Sequence, residues 1–308
     1  MSKFEGYERE TAVRIVGQLC REVTFLRDAE VVAAQDRLAW QLARTTVDHG
    51  CCVFERVAAR GSATAVRDVA ATAIFRRALV TGEAVRLLLG QALWEPAVAT
   101  LRTLAELERN LRLVLGDPSG TVARRLLAST AVTGRRRFPQ ALRDRVTRER
   151  IQASSRHWKW FRSKARSFSD YVESAVPEAL RKEITTTAHW HGYETEAKAF
   201  EEAGMRKCYH LLYEGASLFV HATNIERDVR ADRMRPMPLA EGNSERDLPY
   251  LADLIRCLHR IYELILDDKG RPEYQTAVKV VHDDGSSHEV YPLDGLAYCT
   301  YVVFGPAQ

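Results

Sequence analysis

Long apolar runs are missing from this 308-residue chain. No segment approaches the roughly 18 apolar residues that a membrane-spanning helix needs. The amino terminus, MSKFEGYERETAVRIVGQL, is charged and lacks the apolar core of a secretory signal peptide. The sequence therefore predicts a cytoplasmic protein that has no membrane partner.

Cysteine motifs are missing as well. The chain has six cysteines but no Cys-x-x-Cys pair, and its only close pair, Cys51 and Cys52, is adjacent and therefore a poor zinc chelate. The spacings give no sign of a disulfide framework, which would also be out of place in the cytoplasm. We therefore expect buried free thiols.

The motifs of several enzyme classes are absent. The chain has no Gly-x-x-x-x-Gly-Lys loop, no Gly-x-Gly-x-x-Gly, no Gly-x-Ser-x-Gly and no His-Glu-x-x-His. None of its nine histidines has an acidic residue three positions earlier, as the Glu-x-x-His pairs of di-iron bundles require. From the sequence we expect no metal and no cofactor.

Helical periodicity is what the chain has instead. Hydrophobic residues make up 46% of the sequence, and they recur at spacings of three and four up to about residue 267. Near the end, TAVKVVHDDGSSHEVYPL places β-branched residues on both sides of a turn sequence, which predicts a hairpin. The predicted fold class is all-α: a multi-helix bundle with a small C-terminal β-hairpin.

Breaks in the periodicity predict three regions. These are an N-terminal helical pair at 1–60, a main helical bundle at 61–268, and the β-hairpin with a C-terminal segment at 269–308. One continuous helix is predicted over about residues 205–227, and the apolar stretch 296–304 is predicted to be either a helix or a strand.

A row of polar side chains runs along the predicted helix 205–227. In YHLLYEGASLFVH the residues Tyr209, Tyr213, Ser217 and His221 are four apart, and each step drifts only about 40° around an α-helix. Apolar residues fill most other directions, so we expect this row, the polar seam, to be buried. Since an unpaired buried polar group costs on the order of 1–3 kcal/mol, the seam needs partners.

The expected partners lie on the apolar helix 97–115. Arg102 and Glu106 are four apart there, so they pair with each other or reach Tyr213 or His221 across the bundle. In the functional interpretation Arg102 holds an anion, His221 is a general acid or base, and Glu106 orients one of them. In the alternative, a satisfied polar network fixes the register of the bundle. The candidate catalytic set is His221, Arg102, Glu106, Tyr213 and Ser217.

The turn HWHG, at residues 189–192, is a third candidate contributor. The residues His189 and Trp190, together with Tyr209, form a second tier of candidate site residues. The alternative interpretation is a helix-entry turn whose tryptophan packs on the bundle.

Basic residues are concentrated between Thr133 and Arg166. This segment has twelve Lys or Arg against two acidic residues, whereas the whole chain has a net charge of only +4. Such a local excess favours a polyanion such as RNA as a partner, with nearby aromatic rings stacking on bases. The alternative is a solvated helical hairpin. The candidate nucleic-acid contacts are Arg135, Arg136, Arg137, Arg156, Lys159 and Trp160.

Three motifs together resemble a known family. They are Leu-Arg-x-Leu-x-Glu after a Trp-Glu-Pro-Ala start, His-Trp-x-Gly, and Tyr-x-x-x-Tyr-x-x-x-Ser-x-x-x-His, in this order between about residues 75 and 228. The combination resembles the uncharacterised bacterial domain-of-unknown-function family 5677, whose relatives are expected to have Ser in place of His191. The resemblance implies an all-helical fold similar to the HEPN superfamily. Many members of that superfamily are metal-independent ribonucleases of defence and toxin systems, and others are inactive helical modules.

One departure from the HEPN pattern leaves two hypotheses open. Active HEPN proteins have an arginine followed, after four to six residues, by a histidine, but Glu214, Gly215 and Ala216 occupy those offsets before His221. The first hypothesis is a HEPN-like protein of a bacterial defence or stress system that cleaves or binds RNA without a metal. The second is a non-catalytic helical module for protein or nucleic-acid interaction, whose polar seam is purely structural. A homodimer is a further partner hypothesis for both.

Overall fold

The chain is described by a computed structural model over residues 16–19, 28–60, 65–130, 170–186, 189–214, 229–230, 235–236, 244–270, 278–281 and 287–306. Two compact units divide it. Unit 1 comprises Met1–Gly61, Thr72–Arg112 and Met205–Gln308, and unit 2 comprises Ser62–Ala71 and Leu113–Gly204. The predicted boundaries after residues 60 and 268 stay predictions.

Helices dominate both units. They are α1 Asp28–Arg60, α2 Val66–Gly90, α3 Trp94–Gly116, α4 Glu178–Thr186, α5 Glu196–Glu202, the single turn α6 Arg206–Cys208, α7 Ser244–Lys269 and α8 Pro292–Phe304. A π-helix, Tyr209–Glu214, follows α6 directly, and residues 121–130 and 170–175 are helical too. Pro96 and Pro292 lie in the first turns of their helices, where the missing amide hydrogen would have had no partner. None of the helices described here is both long and apolar enough to cross a bilayer.

The core of unit 1 forms where α1 packs against α7 and α8. Leu38 and Leu42, one helical turn apart on α1, are fully buried, as the spacing of apolar residues predicts. Tyr262 of α7 is also fully buried, and its hydroxyl donates to the carbonyl oxygen of Thr46 at 2.9 Å. The ring of Phe75, from α2, meets that of Tyr262 edge to face at 5.7 Å between centroids. Buried apolar side chains and the hydrogen bond of the Tyr262 hydroxyl thus hold α1, α2 and α7 together.

Local side-chain caps begin the helices of unit 2. Asp117 accepts a hydrogen bond from the amide of Val122 at 2.7 Å, at the start of the helical residues 121–130. Thr195 is the N-cap of α5 and accepts from the amide of Lys198 at 3.1 Å. Each cap gives a partner to an amide that has none within its own helix, which is worth about 1 kcal/mol.

The predicted fold class needs a correction in its β component. The fold is all-α and multi-helix, and no β-layer contributes to it among the residues described. In the described ranges, strand pairing is confined to two short antiparallel pairs: β1 Val229–Arg230 with β2 Arg235–Pro236, and β3 Val278–Val281 with β4 Ser287–Val290. The apolar stretch 296–304, predicted to be either a helix or a strand, lies in the helix α8, which packs on α1. The turn sequence is a local signal, and a two-stranded pair alone is too small to define an architecture.

Candidate functional site

The polar seam meets its predicted partner helix at Arg102. This side chain, on α3, donates from Nη2 to the hydroxyl oxygen of Tyr213 at 2.7 Å. Its Cζ atom also lies 4.2 Å from the centroid of the Tyr213 ring, which is a cation–π contact. The contact across the bundle between residues 111 positions apart is therefore confirmed.

Glu106 and Tyr209 extend this cluster on both sides. The carboxylate Oε1 of Glu106 lies 3.4 Å from Nε of Arg102, an ion pair longer than a well-formed hydrogen bond. The ring of Tyr209 stacks on that of Tyr213 at 5.3 Å with an interplanar angle of 21°. Tyr213 is buried, whereas 17% of the Arg102 side chain and 33% of the Glu106 side chain remain exposed. The Arg102 cluster, consisting of these four residues, is therefore buried at Tyr213 and partly exposed at Arg102 and Glu106.

A π-helix carries the two tyrosines, which corrects the expected α-helix at this point. Residues Tyr209–Glu214 form hydrogen bonds of the wider i→i+5 type, which occur mostly as single turns and frequently at functional sites. The wider turn still brings Tyr209 and Tyr213 onto one face, since their rings stack. Periodicity could not reveal this change, because one widened turn leaves the apolar pattern almost intact.

Several candidate residues lie outside the described residues. Ser217 and His221 of the polar seam are among them, so their catalytic roles stay predictions. The whole basic segment, 133–166, lies outside as well, with the proposed nucleic-acid contacts Arg135, Arg136, Arg137, Arg156, Lys159 and Trp160.

The HWHG turn forms a second cluster, within unit 2. His191 is buried; its Nδ1 accepts from the amide of Tyr193 at 3.1 Å, and its Nε2 lies 3.3 Å from Oε1 of Glu196. The Nδ1 of His189 approaches the same carboxylate oxygen at 3.4 Å. The two imidazoles are parallel, 5.2 Å apart with an angle of 9° between their planes. Trp190 is half-buried with its ring edge to face against His191, and the predicted role of this turn beside His221 stays a prediction.

Gly192 closes this turn in a backbone conformation that favours glycine. Its φ is +83°, in the left-handed region that side chains disfavour. A Cβ at this position would lie 2.6 Å from Nη1 of Arg125, whose guanidinium forms an ion pair with Glu183. The backbone conformation therefore favours glycine, and a larger residue would also displace the end of the flexible Arg125 side chain.

A buried ion cluster around Glu108 of α3 was not predicted from the sequence. Glu108 is fully buried, and its Oε1 accepts from Nη2 of Arg112 at 2.9 Å and from Nε of Arg260 at 2.8 Å. Burial alone would lower the pKa of Arg260, but the neighbouring Cys257 thiol and the Glu108 carboxylate raise it. The spacing of four between Glu108 and Arg112 was an available signal, but Arg260 is 152 positions from Glu108.

Two buried histidines of unit 1 were also missed. Burial lowers the pKa of His49 to about 4, with repulsion from Arg56 adding to the effect. Burial, with His49 and Arg260 as further causes, lowers the pKa of His259 to about 3. The Nε2 atoms of both rings have no hydrogen-bond partner within the part of the chain that the structure describes. The available signal was their position among apolar residues on amphipathic helices.

Comparison with known proteins identifies a family but no characterised relative. Residues 68–234 match the family described as Family of unknown function (DUF5677), which covers more than half of the chain and includes Arg102, the HWHG turn and the π-helix. No curated protein and no solved structure matches the sequence. With the motifs at 102–106 and 189–192 and the tyrosine row all inside the matched residues, the chain belongs to the family of unknown function DUF5677.

Proposed function

We propose that this chain is a HEPN-like protein of a bacterial defence or stress system that cleaves RNA without a metal ion, in the cytoplasm and as a homodimer. The observation that supports the proposal is the position of Arg102: its guanidinium is held by Tyr213 and Glu106, while 17% of the side chain stays exposed. A fixed, accessible guanidinium is suited to bind a phosphate, since its planar donors match two phosphate oxygens.

The chemistry that such a site supports is internal phosphodiester transfer. The ribose 2′-hydroxyl loses its proton to a base and attacks the adjacent phosphorus, and the 5′-oxygen leaves with a proton, so that a 2′,3′-cyclic phosphate remains. In this proposal Arg102 stabilises the charge that develops on the phosphate oxygens, and His221 transfers the protons. Tyr213 and Glu106 hold the guanidinium in place, and Ser217, four residues before His221 in the sequence, contributes a hydroxyl.

The test is cleavage of mixed-sequence RNA by the purified chain in EDTA. We expect the wild type to cleave RNA to cyclic-phosphate ends and to leave DNA of the same sequence intact, because DNA has no 2′-hydroxyl. Arg102→Lys and His221→Ala should each lower the rate at least about 100-fold, and Tyr213→Phe about 10-fold. Arg86→Lys is the matched control, since Arg86 also pairs with a carboxylate, that of Glu83, at a helix surface.

A non-catalytic module is the second candidate, and one observation favours it. Arg102 already has a hydroxyl and a carboxylate as neighbours, as expected of a network that fixes the register of two helices. A folded wild type that leaves RNA intact in EDTA would support this candidate over the ribonuclease.

RNA binding through the basic segment is tested separately from cleavage. Charge reversal at Arg135, Arg136 and Arg137 should weaken binding of fluorescent RNA and flatten its dependence on salt, because fewer counterions are released. Unchanged affinity and salt dependence would exclude the segment 133–166 as the polyanion contact.

A further inference from the structure

Three side chains with metal-binding atoms converge at the HWHG turn. One ring nitrogen of His189, one of His191 and a carboxylate oxygen of Glu196 all lie within 4.8 Å of one another. His191 is buried, whereas His189 and Glu196 are half-buried. The convergence comes from a tight turn followed at once by α5, whose first residue is Glu196.

We propose that His189, His191 and Glu196 bind a divalent transition metal of the Zn²⁺ class. Two imidazole nitrogens with one carboxylate oxygen suit zinc and its first-row neighbours, whereas magnesium and calcium prefer oxygen ligands alone. Three protein ligands leave a fourth position for water, and the half-buried sides of His189 and Glu196 provide access to it.

Two of the three distances between the proposed ligand atoms fit tetrahedral zinc. Tetrahedral zinc with bonds of about 2.1 Å separates its ligand atoms by roughly 3.4 Å. The carboxylate oxygen of Glu196 lies 3.3 Å from Nε2 of His191 and 3.4 Å from Nδ1 of His189. The third distance, between a ring nitrogen of His189 and one of His191, is at most 4.8 Å, so the proposed site requires the half-buried His189 ring to turn towards the metal.

The backbone around the cluster positions the segments that carry all three ligands. Thr195 caps α5 and thereby fixes the first turn that carries Glu196, and the positive φ of Gly192 sets the turn that carries both histidines. The amide of Tyr193 donates to Nδ1 of His191, so the proton of this neutral ring lies on Nε2, towards Glu196. Metal binding at Nε2 moves that proton to Nδ1 and displaces the Tyr193 amide, which makes this amide a reporter of occupancy and weakens binding relative to a fully preformed site.

This site is independent of the proposed ribonuclease. It lies in unit 2, whereas the Arg102 cluster lies in unit 1, and RNA cleavage is tested in EDTA. A negative result for one proposal therefore does not argue against the other.

The test uses the full chain, stripped with EDTA and dialysed, and titrated with Zn²⁺ by calorimetry and with Co²⁺ by visible absorption. We expect one metal per chain, with a dissociation constant on the order of micromolar, and the visible bands of tetrahedral Co²⁺. His189→Ala, His191→Ala and Glu196→Gln should each weaken binding at least about 10-fold. In NMR spectra Zn²⁺ should shift the Tyr193 amide resonance of the wild type.

His210→Ala is the matched control. His210 and Glu214 form a histidine–carboxylate contact at 3.1 Å on an exposed surface, but they offer only two donors, so this variant should bind as the wild type does. Circular dichroism shows whether each variant folds, and the Tyr193 shift in the wild type does not depend on any variant.

Three results would overturn the proposal. A folded wild type without a bound metal would mean that the cluster is only a hydrogen-bonded one. Unaltered affinity in folded His189→Ala and Glu196→Gln would place the metal elsewhere. Near-ultraviolet thiolate-to-cobalt absorption would assign it to cysteine thiols instead, such as those of Cys51 and Cys52.

Discussion

Arg102 and Glu108, six positions apart on α3, show two ways in which a bundle accommodates charge. Arg102 keeps part of its side chain in solvent and completes its contacts with a tyrosine hydroxyl. Glu108 is fully buried, and two guanidinium groups neutralise it. In the first arrangement part of the charged side chain stays accessible from solvent. In the second, the carboxylate is neutralised within the protein and serves only the packing of the helices.

At the residue scale we expect Glu108→Gln to destabilise the fold. Removing the carboxylate charge takes from Arg112 and Arg260 the counter-charge that they share, and breaking a buried ion pair costs about 3–5 kcal/mol. Since both arginines are partly exposed, we expect about 2–3 kcal/mol, measured as the change in the free energy of unfolding by urea.

Glu83→Gln is the control for this substitution. Glu83 pairs with Arg86 at 2.6 Å, but the pair lies near the surface, where such ion pairs contribute roughly 0–1 kcal/mol. Equal losses of stability in the two variants would mean that burial of Glu108 has no energetic consequence.

At the element scale, the packing of α1 on its neighbours depends on one glycine. A Cβ at Gly50 would overlap the hydroxyl oxygen of Tyr262 and a methyl carbon of Leu79. Tyr262 cannot move aside easily, because its rigid ring is fully buried and its hydroxyl is bonded to the carbonyl of Thr46. The close approach of three helices is thus possible only without a side chain at this position.

Gly50→Ala should therefore lower the free energy of unfolding by at least about 1–3 kcal/mol, the usual cost of overpacking a core. Gly90→Ala is the matched control with the opposite sign. Gly90 is helical, and its nearest atoms to a new Cβ, on Trp40, are 3.8 Å away, so alanine should stabilise the chain by about 0.4–1 kcal/mol. Melting temperatures of the two variants that shift in the same direction would contradict the packing described for α1.

At the scale of the whole molecule, the buried histidines make stability depend on pH. Unfolded histidines take up a proton near pH 6.5, whereas folded His49 and His259 stay neutral down to about pH 4 and about pH 3. Between these values the unfolded state binds more protons, so the free energy of unfolding is highest above pH 6.5 and falls as the pH falls.

Between pH 6.5 and 4 we expect each of the two histidines to lower the free energy of unfolding by at most about 1.4 kcal/mol for each unit by which the pH falls. Urea unfolding of the wild type and of His49→Gln and His259→Gln at several pH values measures it, and each variant should show a shallower slope. His210→Gln, which removes an exposed histidine, should keep the slope of the wild type. An identical slope in all four proteins would show that neither buried ring governs acid stability.

Sequence reasoning predicted the helices and one contact of the candidate site, for a physical reason. Apolar spacing fixes which face of a helix is buried, and Arg102 and Tyr213 each lie on such a face, where a polar group needs a partner. The sequence therefore indicates that both side chains need polar partners. The 2.7 Å hydrogen bond from Nη2 of Arg102 to the hydroxyl oxygen of Tyr213 provides them.

Only the tertiary structure decided which buried faces meet. Periodicity does not say that Glu108 lies beside Arg260, that His49 and His259 approach each other, or that a turn carries both imidazoles to Glu196. The first two pairings depend on how helices distant in sequence are arranged, and the third depends on Gly192, whose φ is positive. A charged or titratable side chain becomes a site through its neighbours, and those neighbours are set by the packing of the whole chain.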